Sequence, residues 1–140
     1  MKKVNPLPPG QHEIEDFPRF GLTQYAERYR PEFDPLEIVI SGNVENNVTV
    51  HANDLEKLER VEQVSDFHCV TTWTKRCLHW SGFRFSDFYK DFVLQQVRPD
   101  GDAILVIFRS QAGYRASLPL SDLKNEDGLL ADRLDGEPLS

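Results

Sequence analysis

The sequence predicts an α+β domain built on a mixed, mostly irregular β-sheet. Three observations lead there. Short runs rich in Val, Ile, Phe and Thr outnumber the helical patterns. One stretch, Ser86 to Val97, carries a clear helical period. Turn residues separate the runs at short intervals. A chain of 140 residues is long enough for one domain with a real core. Hydrophobic residues at 39% and charged residues at 28% are ordinary for a globular protein. The net charge of −7 argues against a nucleic-acid partner, because neutralising phosphates needs a basic surface. No apolar run approaches the ~20 residues of a membrane span. The N-terminus carries Lys2 and Lys3 but lacks the apolar segment of a signal peptide, so a cytoplasmic protein is expected.

Residues 1–15 are Pro-rich and polar and read as an extended arm, with the domain proper over 16–140. Leu36 to Gly42 alternates as a strand, Asn46-Asn47 reads as a turn, and Val48 to Val50 reads as a second strand. Asn53 is a candidate cap for a short helix, with Glu56 completing a capping-box pattern and Leu55 and Leu58 facing inward. Arg60 to Val70 alternates polar and apolar residues and is expected to be a strand. Trp80-Ser81-Gly82 reads as a tight turn. The helix from Ser86 to Val97 has Ser86 as N-cap. Phe85, Phe88, Tyr89, Phe92, Val93 and Val97 fall on one face, a spacing that makes the aromatic stripe core packing rather than a cofactor box.

Arg98 to Gly101 is a turn, and Ala103 to Phe108, the most apolar run, is expected to be a buried strand. Gln111-Ala112-Gly113 turns the chain into Tyr114 to Pro119. Ser121 or Asp122 starts a short helix, and Leu129 to Leu134 is a final strand. Asp135-Gly136 is a strong hairpin signal. Only Glu137, Pro138, Leu139 and Ser140 follow it, too few for a returning strand, so either the end frays or the natural C-terminal end is missing.

The chemistry-bearing stretch is Phe67-His68-Cys69-Val70-Thr71-Thr72-Trp73-Thr74-Lys75. A lone thiol after a strand is either one more small buried apolar residue or a soft ligand aimed at a metal. Cys69 and Cys77 could form a disulfide only in an oxidising compartment. The four histidines, His12, His51, His68 and His79, could in principle join the cysteines, but no C-x-x-C or H-x-x-x-H pair is present, which argues against zinc.

That stretch, followed by Leu78-His79-Trp80-Ser81-Gly82-Phe83, resembles the molybdenum-cofactor domain of the sulfite oxidase superfamily. It is most similar to the small bacterial members and to the periplasmic catalytic subunit of methionine sulfoxide reductase. Asp16 to Gly21 resembles the family's loop over the pterin, and Val39 to Val44 its I-x-G-x-V strand. Gly113 to Leu120, with Leu129 to Leu139, resembles its last stretch before the C-terminal strands. The resemblance implies molybdopterin as cofactor, with Cys69 as the molybdenum ligand and catalytic residue. It implies that Arg19 and Phe20 lie over the pterin and that Ser110 contacts the cofactor through its hydroxyl. Thr71 joins them from within the motif, and Trp73 packs beside the cofactor or in the core. His68 should point to the face opposite Cys69 and serve as a packed or supporting residue.

The implied reaction is oxygen-atom transfer with a small-molecule oxygen donor or acceptor and an electron-transfer partner. Family members continue beyond the segment resembling Leu134 to Ser140 into two further cofactor-binding motifs. A chain lacking them is expected to hold cofactor weakly and to self-associate through an uncovered edge. The alternative is a non-catalytic homologue acting as a binding or scaffold module.

Overall fold

The computed structural model describes residues 5–18, 35–111 and 113–139. In chain order it contains β1 (His12–Glu13), β2 (Glu37–Ile40), β3 (Val48–His51), α1 (Ala52–Leu55), β4 (Arg60–His68) and β5 (Trp73–Arg84). Next come α2 (Phe85–Phe88), which runs on into a π-helical segment (Tyr89–Val97), then β6 (Leu105–Arg109) and β7 (Arg115–Pro119). Helix α3 (Leu120–Leu123), β8 (Leu129–Leu134) and β9 (Glu137–Pro138) follow.

The long strand β5 organises the main sheet. β4 pairs antiparallel with it along one edge. Along the other edge, β1 pairs parallel with its first residues and β8 pairs antiparallel with its last ones. The sheet is therefore mixed and, among the described residues, the helices are few and short, as expected. β2 with β3, and β6 with β7, form separate two-stranded pairs.

The core lies at the C-terminal end of β5. Val50, Leu55, Phe83, Phe85, Phe88, Phe92, Val93 and Val97 pack into one buried cluster, with Ile38, Ile40, Leu58 and Leu130 against it. The expected aromatic stripe is thus core. Phe88 stacks on Phe92 at 5.6 Å between ring centroids, and Phe85 stacks on Tyr89 at 6.2 Å. The winding differs from expectation. The helix starts at Phe85 rather than at a Ser86 cap, and beyond Phe88 it widens to i→i+5 bonding, as in Arg98 N–H to Val93 C=O at 3.0 Å.

Four further expectations are corrected. Helix α1 is capped at His51, whose N–H donates to the Asp54 carboxylate at 2.9 Å, rather than at Asn53. Trp80-Ser81-Gly82 lies inside β5 and is no turn. Gly82 is required there because a Cβ would run into the Leu130 carbonyl of β8. The apolar run Ala103 to Phe108 is not buried: β6 pairs only with β7 among the described residues, leaving Leu105 at 55% and Ile107 at 61% exposed. Asp135-Gly136 does return the chain. Both take positive φ, 50° and 83°, the requirement of a tight primed turn, and Arg133 and Leu134 pair with Pro138 and Glu137.

Candidate active site: the Cys69 hairpin

Cys69 opens the turn between β4 and β5. Its N–H donates to the Trp73 carbonyl at 2.9 Å, and its own carbonyl accepts the Thr72 N–H at 3.1 Å. Closing this tight loop forces Thr72 to φ 75°, the left-handed position that Gly or Asn fills more readily. A β-branched residue there costs about 1–2 kcal/mol. Val70, at the tip, is 94% exposed. Strain and an exposed apolar tip set this turn apart from a plain hairpin connection.

The Cys69 sulfur is half-buried and lies 3.1 Å from the Thr71 hydroxyl. That hydroxyl, with the Thr71 and Val70 backbone N–H groups, holds the thiol below its ordinary value, against the opposing effect of partial burial. Thr71 is therefore the group that favours a thiolate at position 69. Cys77 sits elsewhere. It is exposed at a β-bulge in β5 with φ 55°, and its N–H donates to the Asp66 carboxylate at 2.9 Å.

The far side of the hairpin carries a linked set of polar groups. Gln11 Nε2 donates to the Cys69 carbonyl at 3.0 Å, so its Oε1 is turned toward Thr74. The fully buried Thr74 hydroxyl spends its only proton on Gln11 Oε1 at 2.9 Å. Its oxygen can then only accept from His68 Nδ1, 2.8 Å away, which assigns neutral His68 the Nδ1–H tautomer. His68 thus meets Thr74 across the strand pair and supports the turn's outer residues. The neighbouring backbone of β1 zips onto the same place, with His12 N–H to Thr72 C=O and Ile14 N–H to Thr74 C=O, each at 2.9 Å. The described part of the arm is thus docked on β5.

The other face is aromatic. Trp73 is 9% exposed, stacks on Phe67 at 5.6 Å and meets the edge of Phe17 at 5.9 Å. Lys75 Nζ lies 4.8 Å over Phe17 and donates to the Glu15 carbonyl at 2.8 Å. Trp80 extends the cluster to a groove of about 680 Å³ that is also lined by Val64, His79 and Arg133. Arg60, on the same groove, is held by Asp132 in two hydrogen bonds of 2.6 and 2.8 Å.

Of the site residues expected from sequence, the structure gathers His68, Cys69, Thr71 and Trp73 at one hairpin. Ser110 belongs to a different hairpin, at the end of β6. Its hydroxyl accepts the Tyr114 N–H at 3.0 Å, and its backbone closes the turn to β7. That is the structural duty of a turn serine. Arg19 and Phe20 lie outside the described residues. Gln11 was missed from sequence. It stands in a Pro-rich polar arm with no local pattern to mark it. Among the described residues, no group of three or more His, Cys, Asp or Glu side chains converges on a metal position. No described helix is long and apolar enough to cross a membrane.

Comparison with known proteins gives the family. Residues 28–140 match a family model described as an oxidoreductase molybdopterin binding domain. The chain is also similar to a Bacillus subtilis (strain 168) protein named the uncharacterized oxidoreductase YuiH, with 29% identity over 136 residues. The match covers 96% of this chain and 64% of that relative's length.

Proposed function

Because the chain belongs to the oxidoreductase molybdopterin-binding domain family, within the sulfite oxidase superfamily, we propose that Cys69 is its molybdenum ligand. The carrying observation is the thiol itself. It stands at a strained turn, partly open, with the Thr71 hydroxyl and two backbone N–H groups favouring its deprotonated form. A thiolate is what a metal of this kind takes from a protein. One protein thiolate, without a converging set of other donors among the described residues, fits a metal whose remaining ligands arrive with a cofactor. Bound molybdopterin supplies the dithiolene sulfurs and the metal at which one oxygen atom and two electrons pass to or from a substrate.

The remaining work belongs to the chain. Thr71 stabilises the anionic sulfur. The Phe17, Phe67 and Trp73 cluster packs against one face of the hairpin. His68 and Thr74 hold the strand pair that ends in Cys69. The substrate is a small oxygen donor or acceptor, and a separate redox partner exchanges the electrons. Thr71 and Trp73 are the nearest candidates for cofactor contact, joined by Arg19 and Phe20 from the loop that follows the arm. The sulfite-oxidase-like fold and a cytoplasmic location complete this reading.

Metal and pterin analysis of the purified chain tests it. The expected result is molybdenum and pterin in the wild-type protein, at partial occupancy where the cofactor is held weakly, and neither in Cys69→Ser, with both proteins folded. A folded wild-type chain that takes up no cofactor when expressed with ample molybdenum would overturn this reading. It would favour a binding or scaffold role for the domain.

A further inference from the structure

We propose that Gln11 is the positioning residue for Cys69, acting from the N-terminal arm through its carboxamide. The proposal rests on the reading of Cys69 as the metal ligand and extends it to a residue outside the motif. Gln11 does not touch the sulfur. It grips the peptide that carries it, donating from Nε2 to the Cys69 carbonyl at 3.0 Å, while Oε1 accepts from Thr74 at 2.9 Å. One side chain therefore bridges the two limbs of the hairpin just below its turn.

The direction of each bond follows from chemistry. A carbonyl can only accept, so the amide nitrogen must face Cys69 and the amide oxygen Thr74. Only a carboxamide offers a donor and an acceptor side by side at that reach. Fixing the Cys69 carbonyl fixes the peptide on which the Cα–Cβ–Sγ arm turns, and hence where the sulfur stands. Small displacements of a reacting or ligating group are costly, on the order of 100-fold for about 1 Å.

A second observation points the same way. His12 N–H holds the carbonyl of Thr72, the residue forced to φ 75°. The arm thus contacts Cys69, Thr72 and Thr74 together and maintains a turn that would relax if released. A segment that reads as an extended polar arm in sequence is, in this geometry, a strap on the site.

The test uses the full chain and two readouts, hydrogen exchange at the Thr72 amide and molybdenum content. The Thr72 N–H closes the Cys69 turn and so reports its opening without any cofactor. Gln11→Glu keeps the size and the acceptor but has no N–H for the Cys69 carbonyl. Thr72 exchange should quicken by roughly three- to tenfold, the equivalent of one hydrogen bond. Molybdenum content should fall while the thermal midpoint holds. Gln11→Ala should do the same or more. Thr74→Val should share the effect, and Thr74→Ser, which restores the hydroxyl, should rescue it.

Wild-type exchange and metal content in Gln11→Glu would overturn the proposal. If the wild-type chain holds no molybdenum yet Thr72 exchange quickens in both Gln11 variants, the ligand assignment fails while the control of the turn by Gln11 stands.

Discussion

The two ends of β5 are built on opposite principles. At its C-terminal end, Phe83 enters a cluster with Phe85, Phe88, Phe92, Val93 and Val97, all buried and apolar. None of these six side chains carries a charge, none of the six residues has a positive φ, and they lie close together in sequence. At its N-terminal end, Trp73 and Thr74 face a turn with a left-handed Thr72, a partly open thiol and a buried hydroxyl held by hydrogen bonds from other segments. The two ends lie roughly 35 Å apart along a strand of this length. Stability concentrates at one and chemistry at the other, so a substitution can be expected to strike one without the other.

The sharpest break should come at the thiol. Cys69→Ala is expected to remove molybdenum entirely while leaving the unfolding midpoint within a degree or two of wild type, whereas Cys77→Ala should retain the metal. Elemental analysis of both variants checks it. Loss of metal in the Cys77 variant with retention in the Cys69 variant would reverse the assignment.

The opposite pattern is expected at the other end. Phe92 is 6% exposed and stacked on Phe88, so Phe92→Ala should cost about 3–5 kcal/mol as a large-to-small core change. Denaturant unfolding measures this loss. In whatever fraction remains folded, exchange at the Thr72 amide should be that of wild type. Accelerated Thr72 exchange there would mean that the two ends are coupled and the comparison fails.

This division also explains what the sequence revealed. The helical stripe was legible because its partners lie three or four residues apart, and the period of the apolar residues survives even where the winding becomes π-helical. Cys69 stood out as a candidate because its motif is contiguous. Gly82 was misread because its reason for being glycine, the close pass of the Leu130 carbonyl, comes from a strand far along the chain. The burial of Ala103 to Phe108 was misjudged because apolarity says what a strand would gain from cover, and only packing says whether cover is present. Gln11 left almost no trace. Its partners are 58 and 63 residues away, and no local pattern announces a contact of that range.

A gentler change should act on strain alone. Glycine occupies φ 75° without steric cost, so Thr72→Gly is expected to relieve part of the turn's strain and raise stability by up to about 1 kcal/mol. The greater entropy of glycine in the unfolded chain opposes this gain. If the strain serves to hold Cys69, the same variant should lose molybdenum more readily during dialysis. A variant that is both more stable and equally retentive would show the left-handed threonine to be incidental.

The smallest expected effect lies beside the C-terminal end of β5, at Arg60, which pairs with Phe83, and Asp132. The Arg60 guanidinium meets both Asp132 oxygens, at 2.6 and 2.8 Å, and bonds Ser81 at 3.0 Å, tying β4 to β8 across β5. These hydrogen bonds hold the Asp132 carboxyl below its ordinary value of 3.8, against the opposing effect of partial burial. A carboxyl lowered by folding stabilises the protein at pH above its unfolded value, and that contribution is lost as pH falls through the lower folded value. About a third of each side chain is exposed, so solvent screening reduces the contribution to roughly 0.5–1 kcal/mol. Asp132→Asn should therefore be slightly less stable than wild type at neutral pH, and the difference should vanish in strong acid. Unfolding curves for both proteins from neutral pH down to below the carboxylate range measure this. Because the pair stands well along β5 from the turn, molybdenum content should be the same in both. A loss of metal in Asp132→Asn would show that this end of the sheet transmits strain to the Cys69 end.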